Sequence, residues 1–360
     1  MRHEHLAAVR LQRQHLTQPD FRTPVDVARA FGAVQAQDLY SSLYAIGLRM
    51  ADATEGAVEQ AITDKTIVRT WPMRNTIHFI PAEDTRWMLK LLAERLLTKN
   101  ASIYRNTGLT EQDFARARDV LIESLQGGRH QTRPQLYASL EAAGIETSGE
   151  QRGLHILGYW SRAGLVCLGP RHGKQPTYVL LDEWLPPTPM LEGEEALATL
   201  ARRYFASHGP ATERDFAWWS GLSMGECRLG MRQVAQEFEQ ATIDGAVYWL
   251  SPGAMPAEDE ALHSVHLLPP WDEFTVAYRD RSALVHPAFP KDSFIVLGPV
   301  IVVGGRLLGS WKRNITKSGV TVTCTLYAPL SADEREALEQ AVARYGRFLG
   351  LPARFEAARR

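Results

Sequence analysis

No apolar run in this 360-residue chain approaches the roughly 20 residues that cross a bilayer. Residues 1–16 (MRHEHLAAVRLQRQHL) carry charges throughout, so no secretory signal is expected there. Three cysteines, Cys167, Cys227 and Cys324, lie far apart with no Cys-x-x-Cys spacing. That argues against a zinc ribbon or disulfide framework and for a reducing cytoplasm. Lysine is scarce: of 40 basic residues 7 are lysine and 33 arginine. Arginine offers a planar fork for phosphates and base edges. A GC-rich genome raises Arg, Ala and Gly together, however, and the Ala- and Leu-rich helices fit that origin. Metalloprotease, phosphate-loop and nucleophile-elbow signatures are missing. His263-x-x-His266 has ligand spacing, but on an alternating strand the two rings point to opposite faces. No metal and no cofactor is therefore expected.

Strong charge of one sign is also missing: the net charge is −1. Its distribution is less even. Residues 1–181 hold 22 Lys and Arg against 18 Asp and Glu, and residues 182–360 hold 18 against 23. Three stretches, 65–82, 151–181 and 293–332, lack acids altogether and carry three or four basic residues each. Each reads as strand–turn–strand. Local basic hairpins on a near-neutral body suit a protein that follows a nucleic-acid groove without holding every polyanion.

A pattern of helices followed by a hairpin recurs. Val25, Ala28, Phe31 and Val34 lie at helical spacing and predict a helix over 24–36; a second is predicted over 55–63. Strands 66–71 and 76–80 follow, joined by Pro72-Met73-Arg74-Asn75, then a long helix over 82–99. A helix over 110–125, an N-cap at Thr132, a helix ending near Gly144, a helix over 150–163 and a hairpin with the basic loop GPRHGKQP make a second unit. Residues 182–194, with three prolines and four acids, read as a linker. Helices over 195–208, 213–219 and 223–236 open a third unit, with Thr212 and Asp215 as a capping box. Strands are predicted over 240–250, 265–278, 294–303, 306–311 and 319–327, with Gly304-Gly305 as a hairpin turn, and helix 331–349 closes the chain. Trp71, Trp218, Trp219, Trp271 and Trp311 sit in apolar runs and read as core.

Five blocks occur in a particular order: VQAQD at 34–38, RTWPMRNTIH at 69–78, GPATERDFAWWSGL at 209–222, LLPPWDEFTVAYRDR at 267–281 and VGGRLLGSWKR at 303–313. Together they resemble the AlkZ/YcaQ family of bacterial DNA glycosylases, over nearly the whole chain. The resemblance implies a mainly α fold with short β-hairpins. It implies three tandem winged-helix units in a C-shaped scaffold, at 1–108, 109–181 and 195–360, the last with a β-rich extension. It also implies repair of alkylation damage: excision of N-alkylated purines, N7-alkylguanine and bulky or crosslinked adducts among them, from duplex DNA by a monofunctional hydrolase. The implied partner is double-stranded damaged DNA, with no membrane and no protein partner, for a monomer of the cytoplasm and nucleoid.

In that family a Gln-apolar-Gln motif lies at the active site, which assigns Gln35 and Gln37 as catalytic. The YcaQ branch has Asp at the second position, so Gln37 places the chain with the AlkZ branch. Asp38 reads either as a displaced carboxylate or as a cap. The hairpin block implies DNA contacts at Gly304, Gly305, Arg306, Lys312, Arg313 and Lys317, with the turn beside the minor groove. Arg69 and Arg74 belong to another family block, and Arg171 and Lys174 to the basic loop; His78 reads as cleft or core. Two other classes are open on the residues alone. One is a winged-helix regulator without enzymatic activity; the other is a resistance protein that sequesters a genotoxin in a Trp-lined pocket.

Overall fold

The computed structural model describes residues 3–254, 259–290 and 297–358. It is a mixed helical structure with small sheets, dividing into two compact units. The first holds Met1–Val58 and Leu197–Arg360; the second is Glu59–Ala196, inserted within it. No helix among the described residues is long and apolar enough to cross a membrane.

The first unit opens with the helix His3–Arg13, whose Leu6, Ala7, Ala8, Val9 and Leu11 are buried. The helix Pro24–Phe31 follows, with Pro at its first turn and a Thr23/Asp26 capping box. It does not reach residue 36 as its apolar spacing predicts. Gly32 takes φ 76°, a left-handed conformation cheap only for glycine, and ends it. Val34–Gln35 then form a short extended strand, β1, before the helix Leu39–Gly47.

In the second unit, β2 (Ile67–Met73) and β3 (Thr76–Pro81) form a hairpin. Its two-residue turn, Arg74-Asn75, has positive φ at both positions, and β2 runs on through Pro72 and Met73. The predicted helix over 82–99 is present with a π-helical stretch at Leu89–Ala93. The helix Glu111–Leu125 leads to β4 (Gln131–Thr132), the helices Arg133–Ala142 and Arg152–Arg162, then β5 (Val166–His172) and β6 (Gln175–Leu180). Within this unit the strands run in the order β3-β2-β5-β6-β4. Leu109, Phe114, Ala117, Leu140 and Ile156 form the core beneath the three helices.

The chain re-enters the first unit along the helix Gly193–His208, followed by Glu213–Ser220 and Met224–Val234, the last two with capping boxes at Thr212/Asp215 and Ser223/Glu226. Residues 240–250 are a hairpin, not one strand: β7 (Glu239–Ile243) and β8 (Ala246–Leu250) turn at Asp244-Gly245. The predicted strand over 265–278 is also corrected. β9 stops at Leu268, and Asp272 caps a short helix, Glu273–Val276, through a bond from Phe274 N at 2.9 Å. Of the predicted strand 294–303, residues 294–296 lie outside the described residues, and β10 is Val300–Val303. β11 (Arg306–Thr316) and β12 (Gly319–Leu326) make a long hairpin. After the helix Ala332–Leu349 the chain does not end: β13 (Ala353–Ala357) pairs parallel to β12, giving a sheet ordered β13-β12-β11-β10-β9. Trp219 and Trp311 are buried as expected, whereas Trp218 is 45% exposed.

Candidate active site

The segment carrying Gln35 and Gln37 is held from below by buried polar groups. Gln35 is buried and Gln37 exposed. The backbone N–H of Gln35 donates to Glu273 Oε1 at 2.6 Å. That distance is short even for a charge-assisted N–H···O bond. Glu273 is fully buried, and its Oε2 accepts from the Trp219 indole N–H at 2.9 Å. The Trp219 ring also packs beside Gly32, two residues before β1. On the far side of the motif, Asp38 caps the helix Leu39–Gly47, accepting from Ser41 N at 2.9 Å. Strand on one side and cap on the other thus fix the backbone of residues 34–38.

Beside Glu273 lies a second buried carboxylate. Asp272 accepts both Arg49 Nη atoms, each at 2.8 Å, with both residues fully buried. Arg49 also donates to Gln14 Oε1 at 2.9 Å; Gln14 donates to Tyr278 at 3.0 Å, and Tyr278 donates to the His208 carbonyl at 2.9 Å. A fork of this kind offsets the cost of burying two charges only because nearly every donor finds a partner.

His208 stands against Glu273, its Nε2 3.4 Å from Oε2. Ser207 Oγ donates to the Arg203 carbonyl at 2.6 Å, so it accepts from His208 Nδ1–H at 2.8 Å. In the neutral ring Nε2 then bears a lone pair facing a carboxylate, and the contact becomes attractive when a proton lies between them. Burial pushes His208 below the ordinary imidazole range, and Glu273 opposes that shift.

The predicted DNA-binding residues fall in different places. Gly304 and Gly305 form the β10–β11 turn with φ 55° and 86°. A Cβ on Gly305 would sit 2.6 Å from the Ala7 carbonyl carbon, and one on Gly304 2.4 Å from the Leu262 carbonyl oxygen. Close approach here is to the chain's own backbone. Lys312, Arg313 and Lys317 lie toward the opposite end of β11, where the β11–β12 hairpin exposes Asn314 to Ser318. Arg313 donates to Tyr345 Oη at 2.6 Å; Lys312 and Lys317 are exposed. Arg306 is half-buried beside the glycine turn.

In the second unit, Arg69 is buried on β2. Arg74 Nη2 lies 3.3 Å from His78 Nε2, and His78 Nδ1 lies 3.1 Å from the Thr76 carbonyl, which it must donate to, leaving Nε2 to accept. His78 is buried. Arg171 pairs with Glu59, and its Nη2 lies 2.8 Å from that carboxylate; Lys174 is exposed in the β5–β6 turn. His263 ends a short helix, exposed, while His266 is buried in β9, so the pair does not share a strand. No metal-sized cluster of ligating side chains occurs among the described residues.

Sequence reasoning missed Glu273, His208 and the Arg49–Asp272 pair. Glu273 and Asp272 stand inside the block at 267–281, but nothing in a single sequence marks an acid as buried. Against known proteins, the family model for AlkZ-like DNA glycosylases matches residues 28–348. An interstrand DNA cross-link repair glycosylase from Streptomyces sahachiroi is 27% identical over 374 residues, covering 96% of this chain and 97% of its own. The solved structure of the Streptomyces sahachiroi DNA glycosylase AlkZ superposes with a TM-score of 0.73 at 24% identity, covering 98% of each chain, and so shares the fold. The chain therefore belongs to the AlkZ-like DNA glycosylase family.

Proposed function

We propose that this protein excises N-alkylated purines, N7-alkylguanine first among them, from duplex DNA by hydrolysis of the N-glycosidic bond. Gln35 and Gln37 carry the chemistry. An N7-alkylated guanine already bears positive charge and leaves without strong protonation. The enzyme has to place a water and stabilise positive charge developing on the sugar. Neutral amides can do both, presenting carbonyl oxygens to water or sugar and N–H groups to phosphate or lesion. The observation that carries this reading is the anchor on Gln35. Its backbone N–H is bound to the buried Glu273 carboxylate, which ties the motif's backbone in place.

Gln at the second position of the motif supports a substrate range that includes bulky or crosslinked adducts. The name of the Streptomyces sahachiroi relative points the same way. The helix–strand–helix–helix–hairpin order of 111–180 supports reading that part as a winged helix, one of three tandem units. Lys174 at the β5–β6 turn and Lys312 and Lys317 on the β11–β12 hairpin are the phosphate-binding residues this reading favours.

Gln35→Ala and Gln37→Ala should each slow single-turnover release of N7-methylguanine from a duplex by at least about tenfold, a transition-state loss of about 1.4 kcal/mol. Affinity for duplex carrying a stable abasic-site analogue should change little, because phosphate contacts supply most of it. Wild-type release rates in both variants would remove the two glutamines from the mechanism. Tight preference for one operator sequence, with no base released, would instead identify a regulator.

A further inference from the structure

We infer that Glu273 is a positioning residue for base excision, acting through the backbone of the glutamine motif; the inference rests on the reading of Gln35 and Gln37 given above. A carboxylate with no exposure to water is expensive unless donors meet it. The neighbouring Asp272 has a dedicated cation in Arg49. Glu273 accepts from the Gln35 backbone N–H and the Trp219 indole N–H, and the His208 ring packs against it with Nε2 3.4 Å from Oε2. Two of these three partners are side chains from the helices Gly193–His208 and Glu213–Ser220. The third is the backbone of the motif itself.

Glu273 therefore ties three segments to one functional group. Its own place is set because Asp272, one residue earlier, is clamped by Arg49 and caps the short helix that Glu273 begins. Oε1 then sets the depth at which residue 35 sits. A pure core role would be served as well by an apolar side chain of the same volume, and replacing buried ionic groups in that way is often neutral. What an apolar side chain cannot do is accept the Gln35 N–H. The released N–H would seek another partner and shift the motif, and shifts of about 1 Å at a reacting centre cost as much as a hundredfold in rate.

The test uses the full-length protein and duplex DNA containing N7-methylguanine. Glu273→Ala and Glu273→Asp should lower the single-turnover rate at least tenfold, while affinity for abasic-analogue duplex stays within about twofold. Glu273→Gln keeps an acceptor oxygen and should recover most of the rate. The amide of Gln35 should exchange with solvent faster in Glu273→Ala than in wild type, which ties the effect to the motif backbone. Added to Gln35→Ala, the Glu273→Ala change should cost less than threefold more, since the two act as a unit. If Glu273→Ala is too unstable to purify, Glu273→Gln and Glu273→Asp carry the comparison.

Wild-type rates in folded Glu273→Ala or Glu273→Asp would overturn the assignment. So would a full further tenfold loss on the Gln35→Ala background, or a fall in DNA affinity parallel to the fall in rate. If Gln35→Ala and Gln37→Ala lose activity and the Glu273 variants keep it, only this inference fails. If the glutamine variants themselves keep wild-type rates, the reading of the motif fails first.

Discussion

Burial decides the state of individual histidines here. His266 is pushed down to about 3 by desolvation, with Arg344 and Arg49 adding to the shift. It stays neutral in the fold and takes up a proton on unfolding once the pH drops below about 6.5. The unfolded chain then binds more protons than the folded one, so stability rises with pH across this window and is lost as pH falls from about 6.5 towards 3. Each such histidine contributes a slope of up to about 1.4 kcal/mol per pH unit. His208, also lowered by burial, adds in the same direction. His266→Leu should flatten the loss of stability between pH 7 and pH 5, measured by chemical denaturation at each pH. An unchanged slope would mean that His266 is already protonated in the fold. At this scale the sequence was a poor guide. His263 and His266 share a motif spacing, yet one is exposed at a helix end and the other buried in a strand.

β11 separates two features that are close in sequence and were expected to act together on DNA. Its first end is the Gly304-Gly305 turn, packed on the Ala7–Ala8 backbone; its far end leads to the exposed tip with Lys317. Gly305→Ala adds a methyl group at φ 86° and 2.6 Å from that backbone, combining left-handed strain with overpacking. It should destabilise the fold by roughly 1–3 kcal/mol, seen as a lowered denaturation midpoint. Lys312→Glu and Lys317→Glu should leave the midpoint nearly unchanged and weaken duplex binding. Each should make log affinity less steep against log salt by about one unit for each phosphate no longer neutralised. A stable Gly305→Ala protein with impaired excision would return the glycine turn to the DNA interface. The hairpin itself was legible, because alternation and a Gly-Gly pair specify local geometry. Which end meets solvent was not, because that depends on the helix His3–Arg13, some 290 residues away in sequence.

Across the molecule, the near-zero net charge and the basic, acid-free hairpins favour binding that is electrostatic yet tolerant of sequence. Affinity for undamaged duplex should fall steeply between low and physiological salt as counterions are released, and vary little among unrelated sequences of equal length. A flat salt dependence would remove phosphate binding as the main source of affinity. Not every basic residue of those hairpins is available in the same way: Arg171 is paired with Glu59, Arg69 is buried, and Arg313 donates to Tyr345.

Local chemistry alone determined the elements whose causes are local. Thr212 with Asp215 caps a helix, Thr132 with Gln135 caps another, and Gly144 and Gly164 end helices in left-handed conformations. Each rests on interactions within about four residues. The ordered blocks identified the family on the same footing. Tertiary structure alone decided that residues 353–357 add a parallel strand to β12 and that two adjacent acids are buried with different partners. The Gln35–Glu273 bond spans 238 positions. No pattern within a helix turn or a strand repeat encodes such a pairing. It exists because the folded chain brings a buried carboxylate within reach of one backbone N–H, where an unmet donor or an unmet charge would each be costly.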